Sequence, residues 1–456
     1  MLEPNRRHGL APLVHLAWLA LSLPAVSAVS PVKAQPPTSE NHDVRRERLT
    51  GVSGKTLRAL EPYTHLGAVA LVEFADSKAD RLPAVNLLTQ VRASPEHVLR
   101  TIENPAQYPG FMKTLDRVEV VKRDSQAVVY DWGWDLGVFR LKGRNIMRSY
   151  RSPKGHARGH RVTIDSQSGD FGTGRMTIRI LPRPYGSLVV LSLRLDLRRS
   201  NYIARQAARA ARSVNRSANM ALGYTMLMNF KQRAEGEIKP GTPPDKPALS
   251  RPPVNERALI PLLERGDIVI SHMQGTRLDQ TSVFGRVDQD MATVREVMTD
   301  AEAFGSALLP GSTAEVVERK SGATIFDWDI SIPIIGVSGR MSMHDDAPML
   351  SVEALDGALR GGRWQFHTGA LGRHSTLISS WANFDLSESS WLIERIVATD
   401  PYLSHGMSAA GEIMLLRAIR SRVRKLMQAR AAEAAEHART RSAGGRKGLA
   451  DAIKTQ

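Results

Sequence analysis

The chain has 456 residues and a formal net charge of +16, from 62 Lys and Arg against 46 Asp and Glu. It is too long for one typical domain, and its 42% hydrophobic content is enough for ordinary cores. It contains no cysteine, which excludes disulfides, thiol nucleophiles and thiolate metal sites.

Residues 1–34 read as an export signal. Arg6 and Arg7 precede an apolar run from Leu10 to Leu23, and small residues then offer cleavage near Ala28 or Ala34. The run is too short and too punctuated by proline for a good membrane span. A periplasmic or secreted protein is expected. Residues 35–60 are polar and charged and read as a loose leader. Gly67 to Phe74 and Val85 to Arg92 read as strands. Ser94-Pro95-Glu96 then opens a helix, with a capping hydroxyl, proline in the first turn and an acid at the positive helix end. Further strands are expected at about 117–124, 127–135, 139–149, 159–167, 174–182 and 187–197. Asn201 to Glu235 has no proline and repeats apolar residues at helical spacing, with Arg205, Arg209, Arg212 and Arg216 on its polar side. Residues 237–258 are proline-rich and read as a stiff linker. The same order of elements then returns, ending in a helix from about Leu403 to Ala438, with a basic disordered tail over 431–456.

The return is a repeat in sequence as well as in order. Val129-Tyr130-Asp131-Trp132 recurs as Ile325-Phe326-Asp327-Trp328, and Gly143-Arg144 recurs as Gly339-Arg340, at a constant offset of 196. This places one domain at 61–236 and a second at 259–430. Within the repeat, Tyr130, Trp132 and Trp134 alternate as on a half-buried strand. A turn at Gly137-Val138 sets Trp132 opposite Gly143 on the inner face and Asp131 opposite Arg144 on the outer face. Pro333-Ile334 does the same for the second copy. Asp131 and Arg144 could be a catalytic pair, but a ladder pair that fixes register is the preferred reading.

The chemistry that the sequence offers is sparse. His344-Asp345-Asp346 places adjacent residues on opposite faces of a strand, so no metal site is expected. His156 and His160 sit in a Gly/Arg-rich hairpin tip and read as solvated. Gly172-Thr173-Gly174-Arg175 and Gly361-Gly362-Arg363 lack phosphate-loop spacing and read as a bent strand or bulge. No serine elbow, Walker loop or dinucleotide fingerprint occurs. The positive charge fits nucleic acid or an anionic membrane surface. Arginine is spread along helices and tails, however, without an aromatic-plus-basic module, so a solvated exterior is preferred to nucleic-acid binding. The oligomeric state is not legible.

Val91-x-Ala93-x-Pro95-Glu96-x-Val98, then Asn104, then Tyr108-Pro109-x-Phe111, resembles the opening of the polyketide-cyclase and coenzyme Q-binding branch of the START-like helix-grip superfamily. The second copy keeps Val287, Val294, Asp300 and Phe304 but lacks the proline and the Tyr-Pro pair. The resemblance implies an α+β fold of two tandem helix-grip domains, each a curved antiparallel sheet packed on a long C-terminal helix. It implies an apolar pocket between sheet and helix, and it carries no catalytic set and no cofactor. Alanine on the closing helix could instead mean a solid core; a cavity is preferred. Phe111, Tyr130, Trp132 and Trp134 in the first copy, and Phe326, Trp328, Trp364 and Trp381 in the second, are the expected ligand-binding residues. Arg175 and Arg363 are candidates for a polar ligand head, against a strand-edge role. Binding of a lipid or other hydrophobic molecule is the leading function. A cyclase- or hydratase-like enzyme, with Tyr130 or Asp135 as weak acid–base candidates, and a basic membrane-surface protein are the alternatives.

Overall fold

The computed structural model describes Leu49 and residues 52–74, 84–135, 140–151, 159–172, 174–197, 212–236, 249–306, 312–332, 335–386, 394–395 and 400–453. The expected export signal, the two hairpin turns at 137–138 and 333–334, His156, Arg205 and Arg209, and linker residues 237–248 lie outside these.

The first half runs α1 (Gly54–Leu60), β1 (Gly67–Glu73), β2 (Val85–Val91), α2 (Pro95–Glu103), β3 (Leu115–Arg123), β4 (Val128–Asp135), β5 (Arg140–Tyr150), β6 (His160–Gly169), β7 (Arg175–Arg183), β8 (Gly186–Arg194) and α3 (Arg212–Glu235). The second half repeats the order: α4 (Glu256–Leu263), β9 (Gly266–Gln274), β10 (Arg277–Val287), α5 (Met291–Thr299), α6 (Ala301–Gly305), β11 (Thr313–Lys320), β12 (Ala323–Ile332), β13 (Ile335–Asp346), β14 (Met349–Gly357), β15 (Arg363–Gly372), β16 (Ser375–Asn383) and α7 (Pro401–Ile453). Ser94 caps α2, accepting from the His97 amide at 3.3 Å, with Pro95 in the first turn. Without a proline, α5 is capped by Asp290, which accepts from the Thr293 amide at 2.9 Å.

The expected hairpins form in the expected register. Asp131 pairs with Arg144 and Trp132 with Gly143; Asp327 pairs with Arg340 and Trp328 with Gly339. A Cβ on Gly143 would stand 2.7 Å from Trp132 Cζ2, so the indole occupies the space that glycine leaves. Arg144 grips Asp131 with two hydrogen bonds of 2.6 and 2.8 Å, and Arg340 grips Asp327 at 2.7 and 3.0 Å. Both pairs are solvent-facing, as a ladder role requires.

The two halves merge, which the sequence reading does not anticipate. Among the described residues there is one antiparallel sheet of 16 strands, in the order β11-β12-β13-β14-β15-β16-β10-β9-β1-β2-β8-β7-β6-β5-β4-β3. β1 and β9 join the halves, with Val69 opposite Ile270. Pairing covers β1 and β9, two of the four sheet edges that separate halves would expose. Both faces of the seam are covered, so β1 is buried along almost its whole length rather than on alternate residues. Ala68, Ala70 and Val72 face a core that is continuous under α3 and α7, while Val69 and Leu71 face a second core under α1 and α4. The seam also needs close backbone approach. A Cβ on Gly67 would lie 2.3 Å from Ser271 O, and one on Gly266 would lie 2.4 Å from Val72 O.

Four expectations are corrected. First, α1 lies in the stretch expected to be a loose leader, where buried Val52, Leu57 and Leu60 order it; α4 starts in the last residues of the expected linker and buries Leu259, Leu262 and Leu263 within the expected second domain. Second, Arg216 is not on a polar helix face. α7 crosses α3, with Gly406 set against the Ala221 backbone, so Arg216 is buried and donates to Val72 O at 3.0 Å. Beside it Arg420 holds the fully buried Asp267 with bonds of 2.6 and 2.9 Å. Third, α7 continues to Ile453 through the stretch read as a disordered tail, because alanine, glutamate and arginine there are strong helix formers. Residues 428–439 are exposed on every side, so this part of the helix offers no apolar face. Fourth, His160 is buried on β6, with Nε2 3.8 Å from Glu96. No described helix is long and apolar enough to cross a membrane.

Candidate functional site

The inner face of β4 builds the site in the first half. Its period of two sends Tyr130, Trp132 and Trp134 inward, and all three are buried. The 3₁₀ turn Pro105–Gly110 brings Tyr108 in beside them, and Phe171 arrives from the loop before β7. Trp132 stacks on Phe171, with ring centres 4.4 Å apart and planes 19° from parallel, and Trp134 meets the same ring edge-on at 6.1 Å. Tyr108 meets Phe230 of α3 at 5.3 Å and Phe111 at 5.8 Å. Edge-to-face and offset stacks of this kind are the favoured aromatic geometries.

Between these rings and Met226 of α3 is an apolar cavity of about 40 Å³. One water needs roughly 10–15 Å³ on this scale, so this space holds a few waters and not an acyl chain. Tyr130, Trp132 and Trp134 line it; Phe111 packs against the core nearby and contributes to the shell around it. Two lining residues carry buried polar atoms without a protein partner, Trp132 Nε1 and Ser166 Oγ. Asn145 Nδ2 donates to the Tyr130 hydroxyl at 3.2 Å. Burial raises the Tyr130 hydroxyl to about 12, so it stays protonated, and Asp135 is held by Arg140 at 2.8 Å on the outer face. Neither is a base aimed into the cavity.

In the second half Phe326, Trp328 and Trp364 are buried under α7. Trp364 stacks on Phe384 at 5.2 Å, and Trp328 Nε1, like its counterpart Trp132 Nε1, has no protein partner. Trp381 is elsewhere. Trp364 pairs with Ala382, so Trp381, one residue earlier, projects from the other face. There its Nε1 donates to Gln365 Oε1 at 2.7 Å. The two arginines also face outward: Arg175 adjoins the inward Met176 and grips Asp165 at 2.5 and 3.1 Å, and Arg363 adjoins the inward Trp364. Gly172 and Gly361, with φ of 55° and 79°, make the turns that enter β7 and β15, not bulges. At His344-Asp345-Asp346 the middle carboxylate pairs with Arg295, and no group of metal-binding side chains occurs among the described residues.

Glu412 of α7 was missed. It is 1% exposed, Oε2 accepts from Ser380 Oγ at 2.8 Å, and the Trp364 indole N–H also stands beside the carboxyl. Burial raises its carboxyl to about 7. The signal was available, since Glu412 interrupts the apolar stripe of Ala409, Ile413 and Leu416.

Strands that follow a short helix and wrap a long closing helix, twice over, define the architecture. Each half is built on one plan, an antiparallel sheet wrapped on a long closing helix. Residues 91–222 match the family model described as polyketide cyclase / dehydrase and lipid transport. That match lies in the first half; the second half repeats the same strand order. No curated protein matches the chain. Among solved structures, a STAR-related lipid transfer protein from Xanthomonas axonopodis is similar at 10% identity, covering 37% of this chain and 94% of its own, with a TM-score of 0.30. A protein from Thermus thermophilus is similar at 20% identity, covering 33% and 97%, with a TM-score of 0.28. A di-domain ARO/CYC protein of the steffimycin biosynthetic pathway is similar at 12% identity, covering 75% and 99%, with a TM-score of 0.26. None of the three lends this chain a residue role.

Proposed function

We propose that the first half binds a lipid or other hydrophobic small molecule between its sheet and α3. The observation that carries this is the aromatic cavity with an unpaired indole N–H at its wall. A buried donor without a partner costs roughly 1–3 kcal/mol. An apolar guest with one acceptor oxygen would recover that cost while its body replaces the ring contacts. Because the cavity is small, entry requires Phe171 and α3 to move away from the β4 rings. The family description of residues 91–222 as including lipid transport supports the same reading. The domain limits 61–236 and 259–430 and an exported location, periplasmic or secreted, belong to the proposal, the latter resting on the composition of residues 1–34.

Native mass spectrometry of the purified protein, before and after solvent extraction, tests the binding. A bound hydrophobic species, or recovery of one on adding a fatty acid or quinone analogue, is expected. An empty protein that takes up neither would overturn the proposal. Amino-terminal sequencing of protein recovered from its native host tests export: a start just after Ala28 or Ala34 is expected, and an intact Met1 contradicts it.

A further inference from the structure

The second half holds a different kind of cavity. A cleft of about 270 Å³ lies between the start of β10, the end of β16 and the first turns of α7. It is several times the volume of the aromatic cavity, and its wall is largely polar: Arg277, Thr281, Asn383, Ser404, His405 and Ser408 all line it. Three of these carry a buried side-chain atom with no protein partner, namely Arg277 Nη1, Thr281 Oγ1 and His405 Nδ1. Buried polar groups are ordinarily satisfied, and three orphans around one cleft are a concentration that calls for a partner.

We propose that this cleft binds a small, uncharged, hydroxyl-rich molecule, a polyol or a sugar. The charges at the wall decide against an ion. Arg277 already donates to Asp279 through Nε at 2.9 Å and through Nη2, so its charge is met. Asp385 stands at the same wall. With Arg277 paired to Asp279, the wall offers an anion no unmatched positive charge, and Arg277 Nη1–H, a donor only, offers a cation no ligand. A hydroxyl can accept from Arg277 Nη1–H, which can only donate, and can give to or take from Thr281, His405 and the two serines. Burial holds His405 neutral, with a pKa of about 4, so it adds no charge to this balance at neutral pH. The site is independent of the aromatic cavity in the first half.

The test is calorimetric titration of the full-length protein with myo-inositol and with glucose, against succinate and inorganic phosphate. Inositol or glucose is expected to bind one per chain, and the near-isosteric Thr281→Val is expected to weaken it about tenfold, the usual effect of one lost hydrogen bond. Arg277→Met should weaken it at least as much, and its circular dichroism reports whether the fold survives. Tighter binding of succinate or phosphate overturns the proposal. So does the absence of polyol binding at millimolar concentration, or polyol binding that Thr281→Val leaves unchanged.

Discussion

Replacing Glu412 with glutamine should remove a pH dependence of stability and strengthen the protein at alkaline pH. The carboxyl sits at about 7 in the folded chain against an ordinary 4.5. The folded state therefore keeps a proton that the unfolded state releases near 4.5. The stabilisation is complete below that value and declines as pH rises toward 7. A difference of about 2.5 units at ~1.36 kcal/mol each makes the folded wild type about 3 kcal/mol weaker above pH 7 than below 4.5 from this group alone. Glutamine keeps an acceptor for Ser380 and carries no charge at any pH. Denaturant unfolding of both proteins between about pH 5 and about pH 9 isolates the effect. His272 and His405, both lowered to about 4 by burial, titrate in both proteins and cancel in the difference. The advantage of Glu412→Gln should grow from small at pH 5 to about 3 kcal/mol at pH 8. Parallel curves across that range would refute the reasoning, because they would mean that Glu412 ionises as it does in water.

The seam is open to the same kind of test. Gly266→Val places a Cβ 2.4 Å from Val72 O, and overpacking of this kind costs about 1–3 kcal/mol. Calorimetry should show one transition in the wild type and two in the variant; an unchanged single transition would show that the halves are coupled otherwise. Arg420→Met strands the fully buried Asp267 and should cost about 3–5 kcal/mol by denaturant unfolding. Adding Asp267→Asn should recover much of that loss, and failure to recover it would remove the pair from the account of the seam. Arg144→Met should leave ligand binding unchanged, since the pair with Asp131 faces solvent; a loss of binding would restore a functional role to it.

The repeat, the hairpin register and the inward aromatics were legible because each depends on local periodicity and on offsets preserved between copies. Trp132 over Gly143 follows from counting along two strands. The merged sheet was not legible by that route, since β1 and β9 are almost 200 residues apart and nothing local pairs them. A trace of it was present: Ala68 to Val72 and Ile268 to Ile270 are continuous apolar runs, the pattern of strands buried on both faces. Aromatic content alone does not place Trp381, because strand parity puts it on the face opposite Trp364. Composition alone does not place Arg216, because a helix covered on two sides has no polar face. Glu412 was overlooked among apolar neighbours, although a lone acid on a buried stripe is a signal in itself.

The most direct measurement is titration of a fluorescent fatty acid into the wild-type protein and into Met226→Trp, which fills the cavity from the α3 side and leaves every sheet residue unchanged. Saturable binding by the wild type, lost or strongly weakened in Met226→Trp while the fold is retained, is the predicted result. Binding that Met226→Trp leaves intact, or no binding by the wild type, would contradict a ligand site between the sheet and α3.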